Sequence, residues 1–389
     1  MKSMFTVWWK ELLELSRDRR TLMLALVMGP LLAPALFVGL LTLAESRAKD
    51  QMEKPLSIAM AGAEQAPNLV AWLAGQGIQR KDFKGDPDAA IRSQAEDVYL
   101  KIGGDYAKQW REGAPALVEI VHDSTRQDAE VPVRRLENAL ARYGQQVGAL
   151  RLLSRGINPS VAAPLAVSHK DLSTPESRKG IAMAMLPYLL ILSAFLGGAY
   201  LIIDATAGER ERQSLEPLLA TPAPRGAVVS GKIAAACSVG LLSLLLTLLA
   251  FKLGASIAPG IARQLDMSLV SIAKMLAVLL PMLFIGTALL TYIAAGAKSV
   301  KEAQSYMTFL MLMPMIPTIV LMVSPVKNQV WMFAVPFLAQ NQMLLKVVRS
   351  EAVLPIEWMV YFAAGFGLAA LLWFAATRRY HQERLAISA

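Results

Sequence analysis

The chain has 389 residues, of which 55% are hydrophobic and 18% are charged, and its mean hydropathy is +0.42. Soluble globular domains carry about 25% charged residues, so this composition excludes an ordinary soluble protein and indicates several membrane spans. The net charge of +9 is concentrated beside the apolar runs, so it indicates membrane topology and argues against nucleic acid as a partner.

Cysteine and histidine content limits the chemistry further. Cys237 is the single cysteine, so the sequence predicts neither an internal disulfide nor a cysteine-based zinc site. The three histidines, His122, His169 and His381, are too far apart in the sequence for a metal-ligand spacing. We therefore predict no metal site in this chain.

Residues 1–20 are predicted to form an amphipathic helix at the membrane interface. One side of this helix carries Phe5, Trp8, Trp9, Leu12 and Ser16, and the opposite side carries Lys10, Glu14 and Arg17. Paired tryptophans on the apolar side favour a helix that lies in the interface before the chain crosses the bilayer. A plain solvated N-terminal helix is the alternative.

The first predicted span, residues 21–44, contains no charged residue and exceeds the apolar core of a signal peptide, so it indicates an uncleaved anchor. Residues 45–180 then have the composition of a soluble domain. Short β-prone runs at 56–61, 97–102, 117–121 and 165–168 alternate with helical patterns at 68–74, 105–111 and 131–154. This alternation predicts a small α/β domain.

Five further apolar runs are predicted to cross the membrane: 182–203, 233–254, 272–295, 306–323 and 356–376. Residues 326–355 mix aromatic residues and prolines with the polar group Gln340-Asn341-Gln342, and they are predicted to form a re-entrant or interfacial segment. The predicted fold is therefore an α-helical integral membrane protein with six transmembrane helices and an extracytoplasmic α/β domain between the first and second spans.

The orientation follows from lysine and arginine beside the spans. These residues are more numerous on the side that holds both termini than in the short loops of the other side. The positive-inside rule places the richer side in the cytoplasm. The N-terminal helix, the segments 204–232 and 296–304 and the tail 377–389 are then cytoplasmic, and the α/β domain faces outward.

The segment 204–232 is strongly charged and lies between the second and third predicted spans. Its charges alternate in sign over Glu209, Arg210, Glu211 and Arg212. Leu215, Leu218 and Leu219 then recur at the spacing of one helical face, and Thr221-Pro222 ends that pattern. The pattern predicts a short amphipathic docking helix on one membrane face. An ordinary solvated loop is the alternative.

The pattern Glu-Arg-Glu-Arg-x-x-Leu-Glu-x-Leu-Leu-x-Thr-Pro, followed by Gly231-Lys232 before a span, resembles the signature of ABC-2 type transporter permeases, especially the NatB-like sodium-exporter branch. The family usually has Gly-Thr where this chain has Gln213-Ser214. In that family the segment is a cytoplasmic coupling helix that inserts into a separate ATPase subunit. The residues to which the resemblance assigns coupling are Glu209, Arg210, Glu211, Arg212, Leu215, Glu216, Leu218, Leu219, Thr221 and Pro222. Those assigned to the elbow helix before the first span are Trp8, Trp9, Lys10, Glu11 and Arg17.

The resemblance also implies partners and a location. ATP and Mg²⁺ are expected on the partner ATPase, and no cofactor is expected on this chain. A second permease is expected, either another copy of this chain in a homodimer or a related permease, in the bacterial cytoplasmic (inner) membrane. The segment 296–304, with Lys298, Lys301 and Glu302, is either a second contact with the ATPase or a simple charged turn.

The sequence contains one incomplete nucleotide-binding pattern. Residues 226–232 match the start of a phosphate-binding loop, G-x-x-x-x-G-K, but Ile233 stands where a serine or threonine would hold magnesium. The run also leads into a membrane span rather than joining a strand to a helix. We therefore predict that this chain does not bind nucleotide and is not itself an enzyme.

The energy source and the substrate follow from the predicted spans. They contain almost no ionisable residue, whereas an ion-driven transporter would hold buried carboxylates or histidines at mid-membrane. Energy is therefore expected from a partner. The resemblance implies sodium as the leading candidate substrate. The hydroxyl side chains in the spans that could bind sodium are those of Ser193, Thr287, Thr291, Thr308 and Thr318. A lipid, drug or peptide exporter is the alternative, as is a membrane-anchored sensor or scaffold.

Overall fold

The computed structural model describes residues 2–53, 55–81, 87–162, 165, 185–214, 217, 221–260, 263, 267–323 and 329–380. The chain divides into two compact units. The first unit combines Met1–Leu43 with Leu172–Ala389 and holds most of the apolar helices, and the second unit is Ala44–Asp171. The second unit lies where the sequence places the soluble domain, 45–180.

Among the described residues, six helices are long and apolar enough to cross a membrane. In chain order, spans 1 to 6 are Arg19–Arg47, Leu186–Glu211, Arg225–Ile257, Leu269–Ala294, Val300–Leu321 and Pro355–Tyr380. An N-terminal helix, Lys2–Arg17, precedes span 1. The predicted class, a helical membrane protein with six spans, is confirmed.

The structure corrects several predicted boundaries. Span 2 continues to Glu211 instead of ending at 203, span 3 begins at Arg225 instead of 233, and span 5 begins at Val300 instead of 306. Hydropathy detects only the part of a helix that lies in hydrocarbon, whereas the hydrogen-bonded helix continues into the polar zone. The segments between these helices are therefore 212–224, rather than 204–232, and 295–299, rather than 296–304.

Three of the spans are interrupted. Span 1 contains a π-helical turn, Leu24–Met28, before the helix Gly29–Glu53. Span 2 consists of Leu186–Leu196, Ala199–Ile203, a π-helical turn at Asp204–Gly208, and Glu209–Glu211. Span 5 combines Val300–Leu312 with Met315–Val323. Such interruptions are tolerated where neighbouring helices or side chains satisfy the freed backbone groups.

Spans 2, 3 and 4 form the centre of the first unit. Between 50% and 61% of the residues in their apolar windows are buried, compared with 17% to 22% for spans 1, 5 and 6. The exposed apolar surfaces of the outer three spans are therefore available to lipid or to another membrane chain. Prediction from hydropathy alone did not separate these two groups.

The described part of the predicted segment 326–355 contains a 3₁₀ turn, Val330–Ala334, and a half-helix, Leu338–Val348. At 11 residues the half-helix is too short to cross a bilayer. Gln340, Asn341 and Gln342 are nevertheless buried, and Asn341 Nδ2 donates to Thr318 Oγ1 at 3.1 Å. The half-helix is thus packed inside the unit, whereas Val330, Trp331 and Val335 are exposed.

The second unit is built on a four-stranded sheet of order β2-β1-β3-β4. The strands are β1 (Leu56–Ala61), β2 (Ile78–Lys81), β3 (Val98–Ile102) and β4 (Val118–His122). β1 pairs in parallel with β2 and β3, and β4 is antiparallel to β3. The helices are Pro67–Gly75, Pro87–Arg92, Tyr106–Glu112 and Gln127–Leu153. A main core that includes Leu69, Leu100 and Leu136 lies between helices and sheet.

The α/β character of this unit agrees with the sequence. Three of the strands and three of the helices lie where they were predicted, to within a few residues at each end. Strand β2, with the sequence IQRK, was not predicted because only its first residue is apolar. Of the fourth predicted strand, 165–168, Leu165 is not in a strand and the other residues lie outside the described part of the chain.

Candidate functional site

Span 2 ends in a specific hydrogen-bonded turn just before the segment 212–224. The Ser214 N–H donates to the Glu209 carbonyl at 2.9 Å, and the Gln213 N–H donates to the Arg210 carbonyl at 3.0 Å. This pair of bonds is a Schellman motif, which needs a left-handed residue after the helix cap. Gln213 has φ +58° and supplies it. The glycine that ABC-2 permeases usually have here suits this conformation better than glutamine.

Four charged side chains from three helices meet beside this turn, and we call them the charged cluster: Lys10, Glu11, Glu209 and Lys232. Lys232 is buried near the start of span 3. Its neighbours in sequence are small or apolar. Its Nζ lies 3.1 Å from Glu11 Oε1, 2.6 Å from Glu209 Oε2 and 2.6 Å from the Ala205 carbonyl oxygen. The buried ammonium is therefore paired with two carboxylates and a backbone acceptor.

Lys10 completes the cluster from the N-terminal helix. Its Nζ lies 2.9 Å from Glu209 Oε1, 3.3 Å from Glu11 Oε1 and 3.1 Å from Glu14 Oε2. Partial burial lowers the pKa of Lys10, but the hydrogen bond and charge of Glu209, with the charges around it, raise it by more. The net pKa lies above the ordinary value for lysine, so Lys10 is charged at neutral pH.

The carboxylates of Glu11, Glu14 and Glu209 lie within 4.8 Å of one another, a spacing that a metal ion could bridge. The Lys10 ammonium, however, contacts all three, and Lys232 contacts two of them. These ammonium groups occupy the position and supply the charge that a cation would bring. Among the described residues, the arrangement is an ion-pair network rather than a metal site.

The N-terminal helix is anchored to span 3 by a face that the sequence did not identify. Val7, Glu11 and Leu15 are its buried residues, whereas Trp9 is 52% exposed. Trp8 is partly buried, and its Nε1 donates to Ser238 Oγ at 3.1 Å. A helix in a membrane interface shows apolar side chains to lipid as well as to protein, so the interfacial position of the tryptophans stays a prediction.

Close packing of this helix depends on Gly231. A Cβ at position 231 would lie 2.7 Å from Val7 Cβ and 2.8 Å from the Met4 carbonyl oxygen. Glycine therefore allows the backbones to approach, and the next residue, Lys232, then reaches the carboxylate of Glu11. Of the remaining predicted elbow residues, Arg17 is exposed at the end of the helix.

Arg210, Glu211 and Arg212, the other described charged residues of the predicted coupling stretch, bind groups near the end of span 2 and the start of span 5. Arg210 Nη1 donates to the Ala297 carbonyl at 3.1 Å, and Glu211 Oε2 accepts from the Val300 N–H at 2.9 Å. Arg212 forms two bonds with Asp204, at 2.9 and 3.2 Å. The end of span 2 is thus fixed both to itself and to the start of span 5.

The leucine face of the predicted coupling helix cannot be placed. Leu215, Glu216, Leu218 and Leu219 lie outside the described residues. Thr221 and Pro222 are described and form a bend just before the helix of span 3, which follows Pro224. The amphipathic docking helix therefore stays a prediction.

The segment that matches the start of a phosphate-binding loop does not form such a loop in the structure. Residues 226–232 lie inside the helix Arg225–Ile257, so they form no loop whose N–H groups face outward. Lys232 is buried against Glu11 and Glu209 instead of being available to a phosphate. The Gly-Lys pair serves helix packing and the charged cluster.

A second buried ion pair was not predicted from the sequence. Lys346 Nζ, on the half-helix, lies 2.5 and 2.6 Å from the two carboxylate oxygens of Glu357 at the start of span 6. Glu357 also accepts from the Leu354 N–H at 2.9 Å. Lys346 lies in the segment 326–355, whose interrupted and polar sequence gives no period from which to infer burial.

The buried hydroxyls that were considered for sodium form bonds within their own helices. Thr287 donates to the Leu283 carbonyl, Thr291 to the Thr287 carbonyl and Thr318 to the Pro314 carbonyl, at 2.7 to 3.1 Å. This is the usual backbone-directed bond of threonine in a helix. These three hydroxyl hydrogens are therefore used within the helices.

Comparison with known proteins identifies the family of this chain. The sequence model of the family described as ABC-2 family transporter protein matches residues 19–374. The chain is also 28% identical over 360 residues to the ABC transporter permease protein NatB of Bacillus subtilis (strain 168), a match that covers 90% of this chain and 91% of that protein. This chain belongs to the ABC-2 transporter family and is a permease subunit of an ABC transporter, similar to NatB.

Proposed function

We propose that this permease forms half of the pathway of an ATP-driven exporter and receives mechanical work from a separate ATPase subunit through Glu209–Pro222. The observation that supports this proposal is the charged cluster. It joins Glu209, in the last turn of span 2 before the segment 212–224, to Lys232 in span 3 and to the N-terminal helix. A force applied to this segment would therefore move three helices together.

The test is ATP turnover of the permease reconstituted with its ATPase. Leu218→Asp places a charge on the predicted docking face, outside the buried cluster, and is expected to abolish the stimulation of ATP turnover by the permease. Leu385→Asp makes the same change in the predicted cytoplasmic tail and should leave stimulation unchanged. Equal stimulation by both variants would refute the coupling role, provided that both insert into the membrane.

We also propose that both termini and the segment 212–224 are cytoplasmic, in the bacterial inner membrane, with the soluble unit outside. The support is the excess of lysine and arginine beside these segments. Cys237 is buried, so a new cysteine can be labelled against a low background. Thr221→Cys should resist a membrane-impermeant maleimide in intact cells and react after lysis. Labelling in intact cells would reverse the proposed topology.

Sodium is the substrate that we propose to test first, because the chain resembles the NatB-like branch. Inverted vesicles that contain permease and ATPase should accumulate ²²Na⁺ with ATP, including when an uncoupler is present. Uptake that requires an ion gradient and ignores ATP would contradict an ABC mechanism. ATP-dependent transport of a lipid, drug or peptide without sodium would favour the alternative substrate class.

A pair of permeases is part of the same proposal. No more than 22% of the apolar window of spans 1, 5 and 6 is buried, and six spans enclose little space for an alternating pathway. We propose a homodimer with two ATPase subunits. Mass measurement of the complex in native nanodiscs tests this stoichiometry, and a single permease copy in an active complex would contradict it.

A further inference from the structure

The second unit contains a groove that the transport function does not explain. Its volume is about 530 Å³, within the range of sites that hold small ligands. One side is the C-terminal half of the helix Gln127–Leu153, and the other is the segment 114–118 that leads into β4. Leu69, Leu140 and Val118 are among its apolar lining residues.

Stacked aromatic rings form one wall of the groove. The Tyr106 and Trp110 rings lie 5.6 Å apart with an interplanar angle of 16°. Trp110 and Tyr143 lie 5.7 Å apart, again at 16°. Three nearly parallel rings therefore present a continuous apolar surface whose rigid side chains lose little conformational entropy when a ligand binds.

Two glycines keep the helix side of the groove open. Gly144 and Gly148 lie one helical turn apart among the lining residues, and an added Cβ at either would meet no atom within 4 Å. Neither has a positive φ, so the helix does not need glycine for its backbone. Glycine in a helix interior lowers the stability of the helix by about 1 kcal/mol relative to alanine. Close packing does not require glycine at either position, so the chain keeps this space open at a cost in stability.

The groove has a single sign of charge. Arg151 is the one charged residue among its described lining residues. Its Cζ lies 4.8 Å from the Trp110 ring centroid. It donates to the carbonyls of Gly113 and Trp110 at 3.2 and 3.1 Å, which uses two of its five N–H donors. Burial raises the pKa of Tyr106 to about 12 and also raises that of Tyr143, so both phenols are neutral at pH 7.

The sequence on the helix side of the groove has the same bias, whereas Glu112 and Glu119 flank the opposite wall. From Asn138 to Lys170 it contains no aspartate or glutamate, whereas Arg142, Arg151 and Arg155 lie in this stretch. An apolar wall beside an unopposed guanidinium suits a molecule with an apolar body and a negatively charged end. We propose that the groove binds a single-chain amphiphile with an anionic head, its chain along the stacked rings and its head at Arg151.

The test uses the whole chain in phosphatidylcholine nanodiscs, with 11-bromoundecanoate as a probe whose bromine quenches tryptophan. The difference between the wild type and Trp110→Phe isolates the signal of Trp110 from that of the other tryptophans. We expect saturable quenching of this component by the acid, and binding of its methyl ester that is weaker by about tenfold or more.

Three variants separate the chain from the head. Gly144→Leu fills the groove with a residue that favours helix, so it should fold and lose saturable quenching. Arg151→Gln should bind acid and ester about equally. Gly75→Leu makes the same change at a helical glycine outside the groove, again with no atom within 4 Å of the added Cβ, and should behave as the wild type.

Three outcomes would overturn the proposal. They are quenching of Trp110 that rises without saturation, as expected from partition into the bilayer alone; equal affinity of the wild type for acid and ester; and unchanged binding by Gly144→Leu. The transport function does not enter this test, so the outcome for the groove is independent of the outcome for ATP coupling.

Discussion

Replacing Lys232 with methionine tests whether the charged cluster holds the cytoplasmic ends of the helices together. Methionine is also long and unbranched but has no charge. The variant leaves Glu11 and Glu209 buried with Lys10 as their one remaining ammonium partner in the cluster. The cluster then changes from two positive and two negative groups to an excess of one buried negative charge.

The magnitude can be worked from the two lost ion-pair distances, 3.1 and 2.6 Å. With an effective dielectric constant of 20, each contact has a gross Coulomb attraction of about 5–6 kcal/mol. Most of this attraction offsets the desolvation of the charges. Removing one partner of a buried pair therefore costs a net of about 3–5 kcal/mol, chiefly because the other charge stays buried.

A second substitution distinguishes charge from packing. Lys232→Met with Glu11→Gln restores neutrality and keeps the Lys10–Glu209 contact at 2.9 Å. We expect this double variant to recover about 2 kcal/mol or more relative to Lys232→Met, because the excess charge is gone. A packing defect alone would give no recovery, since the second substitution adds no volume at position 232.

Thermal unfolding of the purified permease in detergent, followed by tryptophan fluorescence, provides the assay. Lys232→Met should lower the midpoint by about 5 °C or more, and the double variant should lie between it and the wild type. Lys274→Met, at an exposed lysine in span 4, is the matched control and should change little. A midpoint for Lys232→Met equal to that of the control, or no recovery in the double variant, would refute the reasoning.

The pH dependence of this effect follows from Lys10. Its folded pKa is raised above the ordinary lysine value, so its stabilising contribution is fully present below about pH 10.4 and is lost only as the pH rises through the folded pKa. The ranking of the three proteins should therefore be the same at pH 7 and pH 9. A reversal in this interval would show that another group controls the cluster.

Three further substitutions test other contacts by the same unfolding assay. Gly231→Ala should destabilise the chain by about 1–3 kcal/mol, because the added Cβ would lie 2.7 Å from Val7 Cβ. Gly226→Ala, in the same helix, adds a Cβ that meets no atom within 4 Å and should leave the stability unchanged. Equal effects of the two substitutions would contradict the close approach at Gly231. Gln213→Gly should stabilise the turn after span 2 by up to about 1 kcal/mol, because φ is +58° there; destabilisation by glycine would contradict the left-handed turn. Lys346→Met should lower the stability by about 3 kcal/mol, because it leaves Glu357 buried without its ammonium partner. Adding Glu357→Gln should recover part of the lost stability. An unchanged stability of Lys346→Met would show that the pair is not buried in the membrane-embedded protein.

The sequence predicted the membrane spans but not their ends, and span 3 shows why. Twenty or so apolar residues cross the hydrocarbon, and hydropathy recognises them from 233 onward. The helix itself begins at Arg225, where small and polar residues still form backbone hydrogen bonds. No apolar period marks those residues, so Lys232 was assigned to a loop although it lies inside a helix.

The charged cluster could be only half predicted. Lys10, Glu11, Glu209 and the Gly231-Lys232 pair were all noted from the resemblance, but nothing local joins Lys232 to Glu11, which is 221 positions away. One physical signal was available. A lysine surrounded by apolar helix neighbours has to be paired, and the carboxylates of adjacent segments are its natural partners.

The N-terminal helix shows a limit of a different kind. Its apolar pattern was evident, and its tryptophans were taken as the apolar side of the helix. In the structure Trp9 is exposed and Glu11 is buried, so the face that packs against protein is not the most apolar face of the helix. A helical wheel ranks side chains by hydropathy, whereas a helix at a membrane faces two apolar environments, lipid and protein. Only the partner at Lys232 decides which face turns inward.

A buried ion pair is a poor source of stability compared with apolar packing, so the charged cluster is better understood through its geometry. Apolar helix faces can slide past one another at small cost, whereas an ammonium held by two carboxylates and a carbonyl fixes the relative position of three helices. The segment 212–224 is bounded by the Schellman turn at Gln213 on one side and by Pro224 on the other. If this segment receives the movement of an ATPase, neither end can absorb it locally, and the movement passes to spans 2 and 3 and to the N-terminal helix as one body.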